Sequence, residues 1–164
     1  GRTLTWGHGL SCHVCLLRPK SQGSLQLASK DPMALPLIDP NFLSHRDDVD
    51  RLVRGFKLMR GILSQPALAM FGGRELATTA LAQTDAQIEQ AIRDHADSIY
   101  HPVGTCRMGN TDSDVVDAQL RVRGILGLRV VDASIMPSIV TGNTNAPMMM
   151  IADKAADMIK ADQA

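Results

Sequence analysis

The chain has 164 residues, 17 of them Lys or Arg and 17 Asp or Glu, so its formal net charge is zero. A neutral chain is a poor dedicated nucleic-acid binder, which normally presents a basic face. An aromatic content of 3% argues against a base-stacking platform or an aromatic sugar groove. With 45% hydrophobic and 21% charged residues the composition is that of one globular domain, long enough to bury roughly 70% of its unfolded surface.

No apolar run reaches the ~18–20 residues of a membrane span. The first six residues hold no apolar h-region, so no signal peptide is expected. The chain also lacks an initiator Met, so the expectation is a start partway along a longer product. Three Cys form an odd count in a domain that does not need staples. That favours a reducing compartment and a cytoplasmic location.

In chain order, residues 11–18 mix polar and apolar side chains as a strand does. Pro19 to Gly23 form a turn cluster, and Ser24 to Ala28 alternate with period two. Together they predict a β-hairpin with a long loop. Pro32, Pro36 and Pro40 forbid a helix and predict an extended surface crossing. Ser44 followed by Asp47 predicts the cap of a helix whose apolar face is Val49, Leu52, Val53, Phe56, Met59, Ile62 and Leu63, ended by Pro66. Thr84 and Gln87 form a capping box for a second helix carrying Ile88, Ala91, Ile92 and His95. Residues 98–113 read as a loop, and 119–122 and 128–132 as short strands around Gly124 and Gly127. A last helix is predicted from Pro147, a favourable first position, with Met148, Ile151, Ala152, Ala155, Met158 and Ile159 inward. The order is that of an α+β fold, an antiparallel sheet flanked by helices.

Cys12 and Cys15 form a C-x-x-C with His8 and His13 nearby, but zinc needs four ligands and no second pair exists. On a strand the two thiols would also face opposite sides. Asp112-Ser113-Asp114 imitates the start of a calcium loop. The later ligand places hold Val116, Asp117 and Arg123, so a solvated turn is the better account. Gly7-His8-Gly9 lacks the third Gly of a dinucleotide loop and follows no strand. The expectation is therefore that no metal is bound.

The concentrated signal lies in the last 70 or so residues. His101 sits before Pro102 in a Gly- and Pro-bounded loop, and an imidazole titrates near neutrality, as a general base must. Gly142-Asn143-Thr144-Asn145-Ala146-Pro147 leads into the last helix, whose N-terminus offers free N–H groups and a positive dipole end to an anionic group. Asn143 or Asn145 could equally be a simple cap. Asp132-Ala133-Ser134 could bond a polyol chain or merely end a strand.

Five strings in one order carry a resemblance. They are Leu17-Arg18-Pro19-Lys20-Ser21-x-Gly23, Ile38-Asp39-Pro40-Asn41, His101-Pro102-x-Gly104-Thr105-Cys106-Arg107-Met108-Gly109, Val130-Val131-Asp132-Ala133-Ser134-x-Met136-Pro137, and the segment from Gly142 to Pro147. The chain resembles the C-terminal region of the glucose-methanol-choline (GMC) flavoprotein oxidoreductases, in the choline and alcohol dehydrogenase branch. Asn143 stands where glucose oxidase-like members carry His.

The resemblance implies FAD and a small alcohol substrate. It implies that His101 takes the hydroxyl proton while Asn143 bonds the substrate oxygen. It also implies that Asp132 and Ala133 meet the ribityl-pyrophosphate region, and that Thr144 and Asn145 meet the C2=O end of the flavin ring through backbone N–H groups. It further implies that residues 1–164 are one GMC C-terminal domain, with the 128–132 strand and the last helix completing an FAD domain. The FAD-binding G-x-G-x-x-G part of that domain has no match here. On this reading the chain alone neither retains FAD nor oxidises alcohol, its partner is the missing N-terminal part, and its apolar surface could be covered by self-association. Membrane association of the whole enzyme stays open. Two rivals stand beside it, a non-catalytic binding or assembly module on the same scaffold and a metal-binding module using Cys12 and Cys15.

Overall fold

A computed structural model describes residues 7–163; the N-terminal stretch read above for a signal peptide lies outside them. The described residues hold five α-helices, one short 3-10 turn and one two-stranded antiparallel sheet, in two compact units. The first unit takes residues up to Leu16 and Leu43–Asp97, and the second takes Leu17–Phe42 and Ser98–Ala164. No helix among the described residues is long and apolar enough to cross a membrane.

In the first unit, α1 (Arg46–Leu63) packs on α4 (Asp85–His95), with single turns α2 (Pro66–Ala69) and α3 (Ala77–Ala80) between them in sequence. The predicted stripe is the core: Val49, Val53 and Phe56 of α1 close on Ala82, Ile88 and Ile92, with Leu52, Met59 and Ala91 at its edge. The stripe stops short of its predicted end, because Ile62 and Leu63 are exposed. The cap of α1 also differs from expectation. His45 is the N-cap, and its ring Nδ1 accepts the Asp47 N–H at 3.2 Å. Thr84 and Gln87 form both halves of the capping box at α4, as their spacing predicts. Pro66 ends α1 and opens α2, where its missing N–H is no loss.

The hairpin expectation needs correction. Residues 11–16 form no strand, and β1 (Ser24–Gln26) pairs instead with β2 (Leu37–Asp39), in the register Ser24 with Asp39 and Gln26 with Leu37. The prolines exclude a helix, but Pro36 and Pro40 flank a three-residue strand without interrupting it. Gly23 permits the approach, since a Cβ there would lie 2.0 Å from the Asp39 carbonyl oxygen. Asn41 closes the end. Its N–H donates to Asp39 Oδ1 at 2.8 Å and its amide to the Gln22 carbonyl at 2.8 Å.

The second unit's core is Val116, Leu120, Ile135 and Ala155, with Met108, Val122, Val130, Val131 and Ile151 against it. The predicted strands at 119–122 and 128–132 are reduced to isolated bridges, Val116 with Val122 and Arg121 with Arg129. The cause is Leu120, which lies in the left-handed region at φ 65° and buries its side chain, and one such residue interrupts a ladder. The turn between them is as expected, with Gly124 at φ 77° and Gly127 at φ 74°. Helix α5 (Asn145–Gln163) begins before Pro147. The Thr144 carbonyl accepts the Met148 N–H at 3.0 Å, which places Pro147 inside the first turn, where no N–H is needed. Ala155 is its most buried residue, while Ala152 on the predicted inner face is exposed.

Asp114, in the segment that imitates a calcium loop, is buried and occupied by protein donors. It accepts from the Thr111 hydroxyl at 2.7 Å, the Thr111 N–H at 2.8 Å and Arg107 Nε at 2.7 Å. The Thr111 hydroxyl and N–H and then the Arg107 guanidinium hold its carboxyl down from 3.8 to about 2.

Candidate active site

The backbone of the 104–109 loop is laced to the turn at 133–135. The Cys106 N–H donates to the Ser134 carbonyl at 3.0 Å and the Met108 N–H to the Ile135 carbonyl at 2.8 Å. Gly104, at φ 90°, runs close beneath Met136, where a Cβ would stand 3.5 Å from the carbonyl oxygen. Tyr100 adopts φ 66° immediately before His101. The ring is thus delivered by a loop fastened on its C-terminal side to the buried Ile135.

His101 and the segment 143–144 meet across more than forty residues of chain. Thr144 Oγ1 lies 2.9 Å from His101 Nδ1, and Asn143 Oδ1 lies 3.3 Å from His101 Nε2. Thr144 is only 8% exposed, whereas Asn143 is exposed and the His101 ring half-buried. One ring nitrogen therefore faces the protein and the other faces outward. Arg18 reaches the same neighbourhood, its Nε donating to Thr141 Oγ1 at 2.9 Å just ahead of Gly142.

Asp132 and Ala133 lie on the adjoining turn. Asp132 is exposed and caps the 3-10 turn (Ala133–Ile135), with its Oδ1 accepting the Ser134 N–H at 2.7 Å. The strand-ending role weighed for this triplet is therefore present in the fold. Asn145 is exposed as the first residue of α5, at the positive end of a 19-residue helix. Of the six residues singled out in the sequence, His101, Asn143 and Thr144 are in mutual contact. The others are placed by the segments just described.

The side-chain contact of Thr144 with the ring was not foreseen in the sequence, where only its backbone was considered, and neither was the contact of Arg18 with Thr141. No local spacing signals a meeting of residues so far apart in sequence. Cys12, Cys15 and Cys106 are free thiols. Among the described residues no three His, Cys, Asp or Glu side chains are grouped to hold a metal ion.

A histidine held at both ring nitrogens by a hydroxyl and a carboxamide, beside a helix N-terminus, is an arrangement that can take part in proton transfer next to an anionic group. The chain belongs to the GMC oxidoreductases, whose C-terminal family model matches residues 19–152. It is 48% identical over 159 residues to an alcohol dehydrogenase [acceptor] of Pseudomonas putida, covering 97% of this chain and 29% of the relative. It is 45% identical to an oxygen-dependent choline dehydrogenase of Escherichia coli, covering 96% of this chain and 28% of the relative. Among solved structures, an FAD-dependent oxidoreductase from Chaetomium thermophilum is similar with a TM-score of 0.84 at 30% identity, over 90% of this chain and 26% of that one. The chain thus spans less than a third of the length of the relatives it matches.

Proposed function

We infer that the chain is the C-terminal part of a flavin-dependent oxidoreductase that oxidises a small alcohol, with His101 as the base. The carrying observation is the contact of His101 with Asn143 at the outward nitrogen, Nε2, at 3.3 Å. An alcohol oxygen entering there meets an imidazole to accept its proton and an amide to hold it. Family membership and the similarity to an alcohol dehydrogenase [acceptor] and a choline dehydrogenase support the substrate class.

The residues present fit FAD. The start of α5 supplies the N–H groups of Thr144 and Asn145 and a positive dipole end, suited to the negative charge at the pyrimidine end of a reduced flavin. Asp132 and Ala133 would meet the ribityl-pyrophosphate region. When bound, FAD supplies the hydride acceptor. The work left to this chain is to orient the CH–OH group, to accept its proton at His101 Nε2 and to hold the oxygen on Asn143 as it becomes a carbonyl. The remainder of the protein would provide the rest of the FAD domain. On this view the α5 helix and the 128–132 segment complete that domain.

The test is the rate of anaerobic flavin reduction by alcohol in the whole protein. His101→Ala should lower it by roughly 10²–10⁴, the usual worth of a positioned general base. Asn143→Ala should also slow it. An unchanged rate in His101→Ala removes the base assignment, and an unchanged rate in Asn143→Ala leaves Asn143 without a part in catalysis.

A further inference from the structure

We propose that Arg18 is a positioning residue for Asn143: its guanidinium holds the Thr141 side chain and so fixes the turn that presents the Asn143 amide to the substrate oxygen. The inference rests on the reading of His101 and Asn143 as the pair that meets the alcohol. It extends that site to a side chain 123 positions from Thr141 in sequence.

Asn143 needs support from its backbone. It is exposed, and its contact with His101 Nε2, at 3.3 Å, is longer than the roughly 2.7–3.2 Å of an ordinary N–H···O bond, so the ring alone holds it loosely. The residue before it, Gly142, adopts φ 149°, and a Cβ added there would meet nothing within 4 Å. The glycine therefore serves a backbone conformation that side chains rarely enter rather than a close approach, and it is the softest link in the segment. An amide carried on such a link keeps one direction only where the chain is fastened on both sides.

On the far side the fastening is α5. Thr144 is 8% exposed, its carbonyl accepts the Met148 N–H at 3.0 Å, and its Oγ1 lies 2.9 Å from His101 Nδ1. On the near side the fastening is Arg18, in the same compact unit. Arg18 Nε donates to Thr141 Oγ1 at 2.9 Å, and the Gly142 N–H turns back to the Val140 carbonyl at 2.8 Å, which closes a tight turn centred on Thr141. Arg18 comes from a firm base. Pro19 keeps its backbone out of the helical region, and five residues on Gly23 packs so close to Asp39 that a Cβ would lie 2.0 Å from the carbonyl oxygen. A guanidinium suits the task, because its planar donors point in fixed directions, as those of a rotating ammonium do not. The Arg18 bond thus ties the turn ahead of Asn143 to the chain that enters the β1–β2 ribbon.

The experiment measures anaerobic flavin reduction at saturating alcohol in the whole flavin-loaded protein. Arg18→Ala and Thr141→Val should each slow it about 10-fold, short of the ~10²-fold that a misplacement of about 1 Å can cost. The double variant should be no slower than the slower single one, because both remove the same bond. Thr141→Ser keeps the hydroxyl and should stay near the wild-type rate. In an Asn143→Ala background neither substitution should slow the reaction further, since the group they position is gone. A loss of packing or of flavin contacts would persist in that background, so the comparison separates positioning from a structural part.

An Arg18→Ala or Thr141→Val enzyme as fast as the wild type overturns the proposal. So does a Thr141→Ser enzyme as slow as Thr141→Val, or a full further loss from either substitution in Asn143→Ala. If Arg18→Ala fails to take up flavin, the Thr141 variants still decide. Failure of Thr141→Val to take up flavin overturns the proposal, since the hydroxyl would then serve the fold. If Asn143→Ala itself reduces flavin at the wild-type rate, it is the reading of Asn143 that fails, and the proposal with it. If Asn143→Ala is slow and Arg18→Ala is not, the failure is confined to Arg18.

Discussion

Gly109 is a position in the second unit where one added carbon should disturb a buried charged network. A Cβ there would stand 2.1 Å from Asp114 Oδ2 and 2.4 Å from its Cγ. Non-bonded atoms settle at roughly 3.5–4.0 Å, so Gly109→Ala must push the carboxylate away by more than about 1 Å. That displacement stretches the bonds at 2.7 Å to the Thr111 hydroxyl, 2.8 Å to the Thr111 N–H and 2.7 Å to Arg107. Overpacking of this kind costs about 1–3 kcal/mol. With a urea slope near ~2 kcal/mol/M, the unfolding midpoint followed by far-UV circular dichroism should fall by about 0.5–1.5 M. The mechanism has a sharper signature in a double-mutant cycle, because in an Asp114→Ala background the added carbon meets no carboxylate and should cost little. Equal losses in both backgrounds would refute the reasoning.

The same carboxylate gives the chain an acid-side pH dependence. Its folded pKa, about 2, lies below the ordinary 3.8, so its contribution is complete above pH 3.8 and is lost as the pH falls through about 2. Acid titration of the urea midpoint should show that loss, and Asp114→Asn should flatten it. Thr84→Ala removes the capping-box hydroxyl of α4 and should destabilise by about 0.5–2 kcal/mol in thermal or urea unfolding. Phe56→Ala empties a 7%-exposed site that also carries the Arg60 guanidinium 4.8 Å above the ring, and should cost about 3–5 kcal/mol in the same assay. The isolated 164-residue chain mixed with FAD and gel-filtered should emerge without flavin absorbance, because the residues proposed to meet FAD, Asp132, Asn143 and Asn145 among them, are exposed in it. Retention of one flavin per chain would show that the site is complete without the rest of the protein.

What could be read in the sequence follows the range of the forces involved. The α1 stripe and the α4 capping box depend on neighbours three and four residues away; the capping box stands where the spacing put it, and the stripe does so from Val49 to Met59. Strand 24–26 formed but its pairing, like the reduction of the 119–132 ladder to isolated bridges, was not foreseen, because partners are chosen at a distance. Residues 24–26 read in the sequence as partners of 11–18 and pair instead with 37–39, where Gly23 permits a close approach that depends on three-dimensional packing. At 119–122 a single left-handed Leu120 broke a run whose composition favoured a strand, and no residue type announces that conformation in a leucine. The cap of α1 moved one residue for a related reason, a histidine ring taking the bond that a serine is usually given.

The site divides in the same way. Its residue types were legible because a loop histidine and a Gly-Asn-Thr-Asn-Ala-Pro turn are unusual strings, but their geometry was not, because it is set by the core beneath them. Ile135, 2% exposed, is held among Val116, Leu120 and Ala155, and its carbonyl anchors Met108 in the loop that follows His101. Ala155, 1% exposed, fixes α5 from the same core, and α5 in turn fixes Thr144 at its first turn. Both arms that meet at the imidazole are therefore fastened to one apolar cluster, at Met108 on the loop after His101 and at Ala155 along α5 after Thr144. Arms fastened to a packed core hold a ring nitrogen more steadily than loose ones. This is why His101 and Thr144, so distant in sequence, meet at 2.9 Å.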